Sequence, residues 1–308
     1  MAQSGSLLSE GTARSLAAGE LLAVFLPGKG MLGASLRYRG QELLGRVEDL
    51  DGAAHKGSTA GIPLLYPWAN RLPAAHYEAL GKKVVLDTSS PLVHLDENGL
   101  PIHGVPWAQL AWDVTEAGAS TLAAQLEWTR EDLLGVFPFR HRVGMRVVLH
   151  PDALMLETTV QACFGDAVPV AFGFHPYLAP PGAGRDDFRL VLPSMRRWVL
   201  DARGLPTGEE TAFAGFDGAL AARAFDDGFS LLGEPARLSI ASPEVLLGVD
   251  FLSGYGAAQV FAPRDKGYVA LEPMTAPTGA LGTGRGLRTL PAGGQFRAAF
   301  RISVTARA

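Results

Sequence analysis

The sequence predicts an all-β protein, a single large β-sandwich over residues 1–308, and three observations carry that expectation. Short β-prone runs are cut by glycine and proline clusters along the whole chain. Two adjacent central segments, 139–149 and 154–160, alternate apolar and polar residues with the period of two that a half-buried strand requires. Few segments combine helical periodicity with caps, and no internal repeat or linker divides the chain.

Taken in order, residues 14–50 read as short strands in a meander. Leu21–Leu26 is apolar, Pro27-Gly28-Lys29-Gly30 punctuates it, and 31–38 resumes before a turn at Arg39-Gly40. Residues 51–60 are small and polar enough for an exposed loop. In 61–72, Pro63 and Pro67 exclude a regular helix or central strand, so this apolar, proline-stiffened loop ending in Asn70-Arg71 can wall a polar ligand. Residues 77–86 form a hairpin pattern with Gly81-Lys82 at its turn, and Asp96-Glu97-Asn98-Gly99 supplies further turn chemistry. His103 follows in a loop between Pro101 and Pro106, either as a surface histidine without a role or as a ligand group. Trp107, Trp112 and Trp128 suit either the core or a sugar-stacking face, with the core favoured for at least one.

In the centre, Arg140, Arg142 and Arg146 fall on one side of the alternation and Val143, Met145 and Val147 on the other. His150-Pro151-Asp152 turns the chain, so 139–149 and 154–160 pair as an antiparallel hairpin. The β-prone run 168–177 follows and delivers His175, with Pro176 ending the strand immediately afterwards. A histidine at a strand mouth is held by the scaffold yet open to substrate, although flanking Phe174 and Tyr177 also suit a core imidazole.

Beyond it, 188–192 and 196–200 are strand candidates, and the glycine-rich 201–219 reads as a mobile connection. Asp226-Asp227-Gly228 places two carboxylates in an apolar frame, as a turn or as a binding group. Runs 236–240, 245–249 and 258–262 are strand-like. Run 268–272 ends in Glu272, with Pro273 directly behind it. A carboxylate behind so apolar a strand faces solvent or needs donors, a raised pKa or a ligand, because burying it unpaired costs several kcal/mol. Residues 287–304 close the pattern with a turn at 290–294 and a final strand.

Composition narrows the classes. With 47% hydrophobic and 19% charged residues and mean hydropathy of +0.14, the chain is globular rather than disordered. Its 27 basic and 31 acidic residues, net charge −4, with no long basic block, argue against a nucleic-acid partner. Cys163 is the only cysteine, which excludes an intrachain disulfide and a cysteine cluster, and it reads as a small buried hydrophobe. No apolar run approaches the ~18 residues of a membrane span and no signal sequence opens the chain, so a soluble cytoplasmic protein with no membrane partner is expected.

Several phrases converge on a family. With Trp68-Ala69-Asn70-Arg71, Ile102-His103-Gly104, Phe172-Gly173-Phe174-His175-Pro176-Tyr177, Phe225-Asp226-Asp227-Gly228-Phe229 and Leu271-Glu272-Pro273, the chain resembles the aldose 1-epimerase (mutarotase) family from about Gly33 to Val304. The resemblance implies a galactose mutarotase-like supersandwich of antiparallel sheets with an open sugar cleft. It places the family's histidines at His175 and His103, its late glutamate at Glu272, its sugar-binding arginine at Arg71 beside Asn70, and its hydroxyl-binding aspartate at Asp226 or the adjacent Asp227. Val105 stands where typical members carry a second glycine after His-Gly, and the phrase around His175 departs from the Asn-His-x-Tyr-Phe-Asn form. Both departures weaken the case for free galactose or glucose as substrate.

The chemistry implied is interconversion of α and β anomers. A base takes the proton of the anomeric hydroxyl, an acid protonates the ring oxygen, the ring opens, and reclosure on the other aldehyde face gives the second anomer. Glu272 suits the base because its carboxylate is available near neutrality, and protonated His175 suits the acid because its reference pKa is near ~6.5. His103 assists on the ring-oxygen side, while Arg71 and Asp226 orient hydroxyls. The carboxylate and the imidazole on opposite sides of a sugar-sized cleft would support catalysis, whereas wide separation would favour binding alone. No metal or organic cofactor is required. The partner is a small sugar or, with Arg71, Arg140, Arg142, Arg146 or Arg196 as the anion site, a phosphosugar. A non-catalytic carbohydrate-binding or sugar-sensing protein on the same sandwich is the alternative.

Overall fold

The computed structural model describes residues 13–307, and its two large sheets are antiparallel throughout. One has nine strands, in the order Phe216–Ala219, Arg189–Leu192, Ala236–Ala241, Val245–Ser253, Gln295–Ala306, Ala153–Gln161, His141–His150, Thr121–Trp128 and Asp113–Ala117. The other runs Pro206–Phe213, Met195–Leu200, Phe225–Ser230, Ala257–Ala262, Val269–Met274, Gly173–Phe174 and Leu64–Leu65, with Tyr177–Leu178 also pairing Val269–Met274. A smaller sheet of four strands, Arg14–Ala18, Leu21–Leu26, Leu32–Tyr38 and Gln41–Glu42, is the expected meander.

Alternation explains how the large sheets meet. In Gln295–Ala306, Phe296, Ala298, Phe300, Ile302 and Val304 are buried while Arg297 and Arg301 face outward. Phe300 packs on Phe174 of the other sheet with ring centroids 4.9 Å apart. Each fully buried Phe contributes roughly 1.5–3 kcal/mol through burial alone. The central hairpin pairs as expected, with Val143 opposite Val160 and Val147 opposite Leu156. Trp107, Trp112 and Trp128 all belong to the core, and Trp128 Nε1 donates to Phe137 O at 2.9 Å.

Four local expectations are corrected. Within 51–60 the chain forms the helix Leu50–Lys56, because the Asp49 side chain caps the amide of Gly52 and Gly57 closes it at φ 67°. The segment 201–219 contains two strands, Pro206–Phe213 and Phe216–Ala219, both at sheet edges, where glycine is tolerated because little is packed. Cys163 is exposed, lying in the turn after Ala153–Gln161 instead of in the core. Asp226-Asp227-Gly228 lies inside the strand Phe225–Ser230 and not in a turn.

The two proline-terminated runs are also rearranged. The run 168–177 is divided: Val168–Val170 pairs with Arg288–Leu290, whereas Gly173–Phe174 and Tyr177–Leu178 pair with Val269–Met274, leaving His175 in the gap between them. The strand carrying Glu272 continues through Pro273 to Met274. On that side the edge is paired only at Met274 and at Val269 and Ala270, so the missing amide of Pro273 costs little there.

Candidate functional site

A cleft of about 310 Å³ opens over this gap, and Asn70, Arg71, His103, His175, Asp226 and Glu272 all line it. Backbone pairing brings them together. The amides of His175 and Tyr177 donate to Pro63 O and Gly61 O at 3.1 and 3.0 Å, so the proline-stiffened loop runs beside His175. That loop pairs onward with 101–105: His103 N donates to Asn70 O at 2.9 Å, Leu72 N to Pro101 O at 2.8 Å and Val105 N to Tyr66 O at 2.8 Å. Asn70 and His103 both take left-handed φ, 56° and 64°, a conformation that non-glycine residues adopt rarely outside constrained sites. Gly104 is dictated by contact, since a Cβ there would lie 2.2 Å from Tyr66 O.

His175 Nε2 lies 3.2 Å from Glu272 Oε1, so the two share one wall, neither facing each other across the cleft nor widely separated. The His103 and His175 rings are perpendicular with centroids 5.5 Å apart, and Tyr177 stacks on His175 at 4.3 Å. Among the described residues, Glu272 Oε2 and the Nδ1 atoms of His103 and His175 are buried without a protein partner.

Burial sets the protonation of this group. It pushes the His175 imidazole down to about 3, with the Arg46 charge adding to the effect. It pushes Glu272 well above the usual carboxylate range, reinforced by the Asp226 carboxylate and opposed by Arg71. His103 is held well below the ordinary imidazole value by burial, then by His175 and Arg71. In the free protein the proton shared by the pair therefore rests on Glu272. That reverses the expected carboxylate and imidazolium, because a dry wall disfavours both charges.

The cleft also carries a charged clamp. Asp96 Oδ2 accepts from Arg71 Nε at 2.5 Å, and Asp96 Oδ1 accepts from the amides of Asn98 and Leu100, both at 2.9 Å. Burial pushes Asp96 up, but the Leu100 amide and the Arg71 guanidinium outweigh it and hold the carboxyl below its ordinary value. Asn70 Oδ1 accepts from Arg71 N at 2.9 Å and from Nη1 at 3.3 Å, which fixes the guanidinium plane. Asp226 Oδ1 accepts from Gln259 Nε2 at 2.7 Å, and Gln259 lies directly opposite Glu272 on the next strand. Asp227 points elsewhere, with its carboxylate 3.1 Å from Arg197, so Asp226 is the aspartate at the cleft.

Four of the five arginines considered for an anion site lie elsewhere. Arg140 pairs with Asp166, Arg142 with Glu127, Arg146 with Glu116 and Arg196 with Glu210, and none of them lines the cleft. The sequence reading missed Asp96, Gln259 and Arg46. Asp96 was visible only as a turn residue, and Gln259 only as a lone polar residue within an apolar strand. Arg46 lies over the Tyr177 ring at 5.3 Å and donates to Thr59 O at 3.0 Å.

The sequence profile of the Aldose 1-epimerase family matches residues 22–303. The chain belongs to the aldose 1-epimerase family. YihR of Escherichia coli (strain K12), described as uncharacterized, is 27% identical over 304 residues, spanning 94% of this chain and 92% of its own. Among solved structures, a galactose mutarotase-like protein from Clostridium acetobutylicum superposes with a TM-score of 0.82 at 20% identity, covering 95% of this chain and 94% of that one. The Slr1438 protein of Synechocystis sp. PCC 6803 gives 0.77 at 22% identity, covering 96% of both. At these identities the likeness is one of fold, and the expected galactose mutarotase-like β-supersandwich is the architecture found.

Proposed function

We propose that this aldose 1-epimerase family member interconverts the α and β anomers of a neutral aldose by ring opening and reclosure. The observation that carries the proposal is the 3.2 Å contact between His175 Nε2 and Glu272 Oε1. The anomeric hydroxyl and the ring oxygen are bonded to the same carbon, so two neighbouring groups can reach both. A shared wall provides such a pair.

Passage of the shared proton from Glu272 to His175 gives a carboxylate and an imidazolium. Sugar hydroxyls favour this form by solvating the carboxylate. Glu272 then accepts the proton of the anomeric hydroxyl while His175 donates to the ring oxygen, and the C1–O5 bond breaks to leave the aldehyde. Rotation about C1–C2 presents the other carbonyl face. The reverse transfers then close the ring, with no net change in protons. His103 steadies the ring-oxygen side, and Arg71, Asn70 and Asp226 hold the remaining hydroxyls.

A hexose 6-phosphate is a second reading, favoured by Arg46: among the described residues no carboxylate forms a salt bridge with this cleft arginine. The test is anomer exchange by saturation-transfer NMR across free aldoses and hexose 6-phosphates, with buffer and Glu272→Gln controls. Acceleration that vanishes in the variant supports catalysis, and the sugar that is accelerated selects the reading. A sugar that binds without acceleration points instead to a carbohydrate-binding protein.

A further inference from the structure

Pro176 disfavours the helical region for the residue before it, so the backbone of His175 is restricted and the freedom left to its imidazole is side-chain rotation. A working imidazole is commonly fixed by a hydrogen bond at the nitrogen that takes no part in the chemistry. Here Nε2 meets Glu272 at 3.2 Å, and among the described residues no other residue hydrogen-bonds Nδ1. Another contact must hold the ring plane.

That contact is Tyr177. Its ring lies 4.3 Å from the His175 ring between centroids, at an interplanar angle of 26°. His103 and Phe261 stand farther off, at 5.5 and 6.0 Å, and are steeply inclined at 87° and 69°. Tyr177 is itself fixed at both ends. Its amide donates to Gly61 O at 3.0 Å, its carbonyl accepts from Gly45 N at 2.9 Å, and its hydroxyl shares a hydrogen bond of 2.6 Å with Thr59 Oγ1. Tyr268 stands perpendicular to it at 5.0 Å, an approach that Gly45 permits, since a Cβ there would lie 2.8 Å from Tyr268 Cβ.

Thr59 lies two residues past Gly57, the glycine that closes the helix Leu50–Lys56, so the helix end delivers it to this place. Arg46 then secures it: Nε donates to Thr59 O at 3.0 Å while the guanidinium lies over the Tyr177 ring at 5.3 Å. Arg46 takes a left-handed φ of 58°, which non-glycine residues adopt rarely outside constrained sites. Thr59, Tyr177 and Arg46 thus close a circuit of contacts against the imidazole.

We propose that Thr59 and Tyr177 are positioning residues for anomer exchange: Thr59 holds the Tyr177 phenol, and the Tyr177 ring holds the imidazole in the plane where Nε2 meets Glu272. The inference rests on the anomer-exchange reading above. Rotation of the imidazole breaks the Nε2 contact and with it the passage of the shared proton. The loss therefore falls on the chemical step and not on sugar binding.

The test has two readouts on the full chain. The first is the order parameter of the His175 ring in the free protein, from NMR relaxation with labelled histidine, assigned by the signal that His175→Asn lacks. It should match that of rigid backbone, ~0.85, in wild type, fall furthest in Tyr177→Leu, and fall part-way and equally in Tyr177→Phe and Thr59→Val. The second is exchange of whichever free aldose or hexose 6-phosphate the wild type accelerates. Tyr177→Leu should lower kcat about tenfold to a hundredfold with KM held within about twofold. Tyr177→Phe and Thr59→Val should each lower it about threefold to fivefold, and the double variant no further than either, because both remove the same hydrogen bond.

An unchanged order parameter or kcat in Tyr177→Leu, losses that appear in KM at constant kcat, or losses that multiply in the double variant would overturn the proposal. If the wild type accelerates none of these sugars, the anomer-exchange reading fails by itself, and the order parameters still decide whether Thr59 and Tyr177 hold the imidazole. Thr59→Val changes a half-buried residue at nearly constant volume, so the test survives a Tyr177→Leu chain that fails to fold.

Discussion

His175 Nε2 and Glu272 Oε1 lie 3.2 Å apart, with side chains only 6% and 1% exposed, and this contact joins a residue in the gap between two short strands to one inside the neighbouring strand as one titrating unit. Neither group has a pKa independent of the other. What matters for the proposed reaction is that the pair carries one proton in total.

The pH profile should reflect that count. Activity is lost on the acid side only when a second proton enters, and burial holds His175 down at about 3. On the alkaline side activity is lost when Glu272 gives up the remaining proton, and that group is held well above the usual carboxylate range. The kcat/KM profile, which reports the free enzyme, should therefore stay flat on acidification through the ordinary histidine region near ~6.5. A half-loss centred there would contradict this protonation scheme.

Glu272→Gln should abolish most of the activity, a fall of roughly a hundredfold to ten-thousandfold in kcat. It should also stabilise the fold in a pH-dependent way. Because the folded-state pKa of Glu272 is raised, its contribution is fully present below the unfolded value near ~4.3 and is lost as pH rises through the folded value. The variant cannot ionise, so its advantage should be absent in acid and grow as the pH rises. Thermal unfolding at several pH values checks the trend, and a pH-independent difference would count against it.

Asp96→Asn should loosen the sugar clamp. The substitution keeps an oxygen that can accept from the Asn98 and Leu100 amides but removes the charge that holds Arg71 Nε. If Arg71 orients hydroxyls in both ground and transition states, the loss is of uniform binding. KM should then rise about tenfold with kcat changed little. A fall in kcat at constant KM would place Arg71 in the chemical step instead.

Much of this site was legible because proline marks it. Pro176 and Pro273 follow His175 and Glu272, and the Pro63–Pro67 loop leads into Asn70-Arg71, so local backbone chemistry flagged segments that meet at the cleft. The contact between His175 and Glu272 was not legible. It depends on a gap in the pairing along Val269–Met274, and only the three-dimensional register creates that gap. The same limit hid Gln259, whose role comes from standing across from Glu272 and donating to Asp226. The helix Leu50–Lys56 escaped notice because its residues are small and its two caps carry the signal.

A buried histidine outside the cleft gives the last prediction. His141 Nδ1 lies 2.6 Å from Phe139 O, and a carbonyl can only accept, so the proton is on Nδ1. Nε2 must then accept from the Tyr66 hydroxyl, the other polar group it meets. This neutral tautomer ties the central hairpin to the loop that leads to Asn70 and Arg71. Burial pushes His141 down to about 4, below the ~6.5 of an unfolded histidine. Its stabilising contribution is therefore full above the unfolded value and is lost as pH falls through the folded one, amounting to on the order of 3 kcal/mol. His141→Gln removes the titration while keeping an amide that can accept from Tyr66. In urea unfolding at near-neutral pH the variant should be less stable than wild type, and the gap should close as the pH falls toward 4. A gap that stays constant over that window would mean that His141 does not change protonation on unfolding.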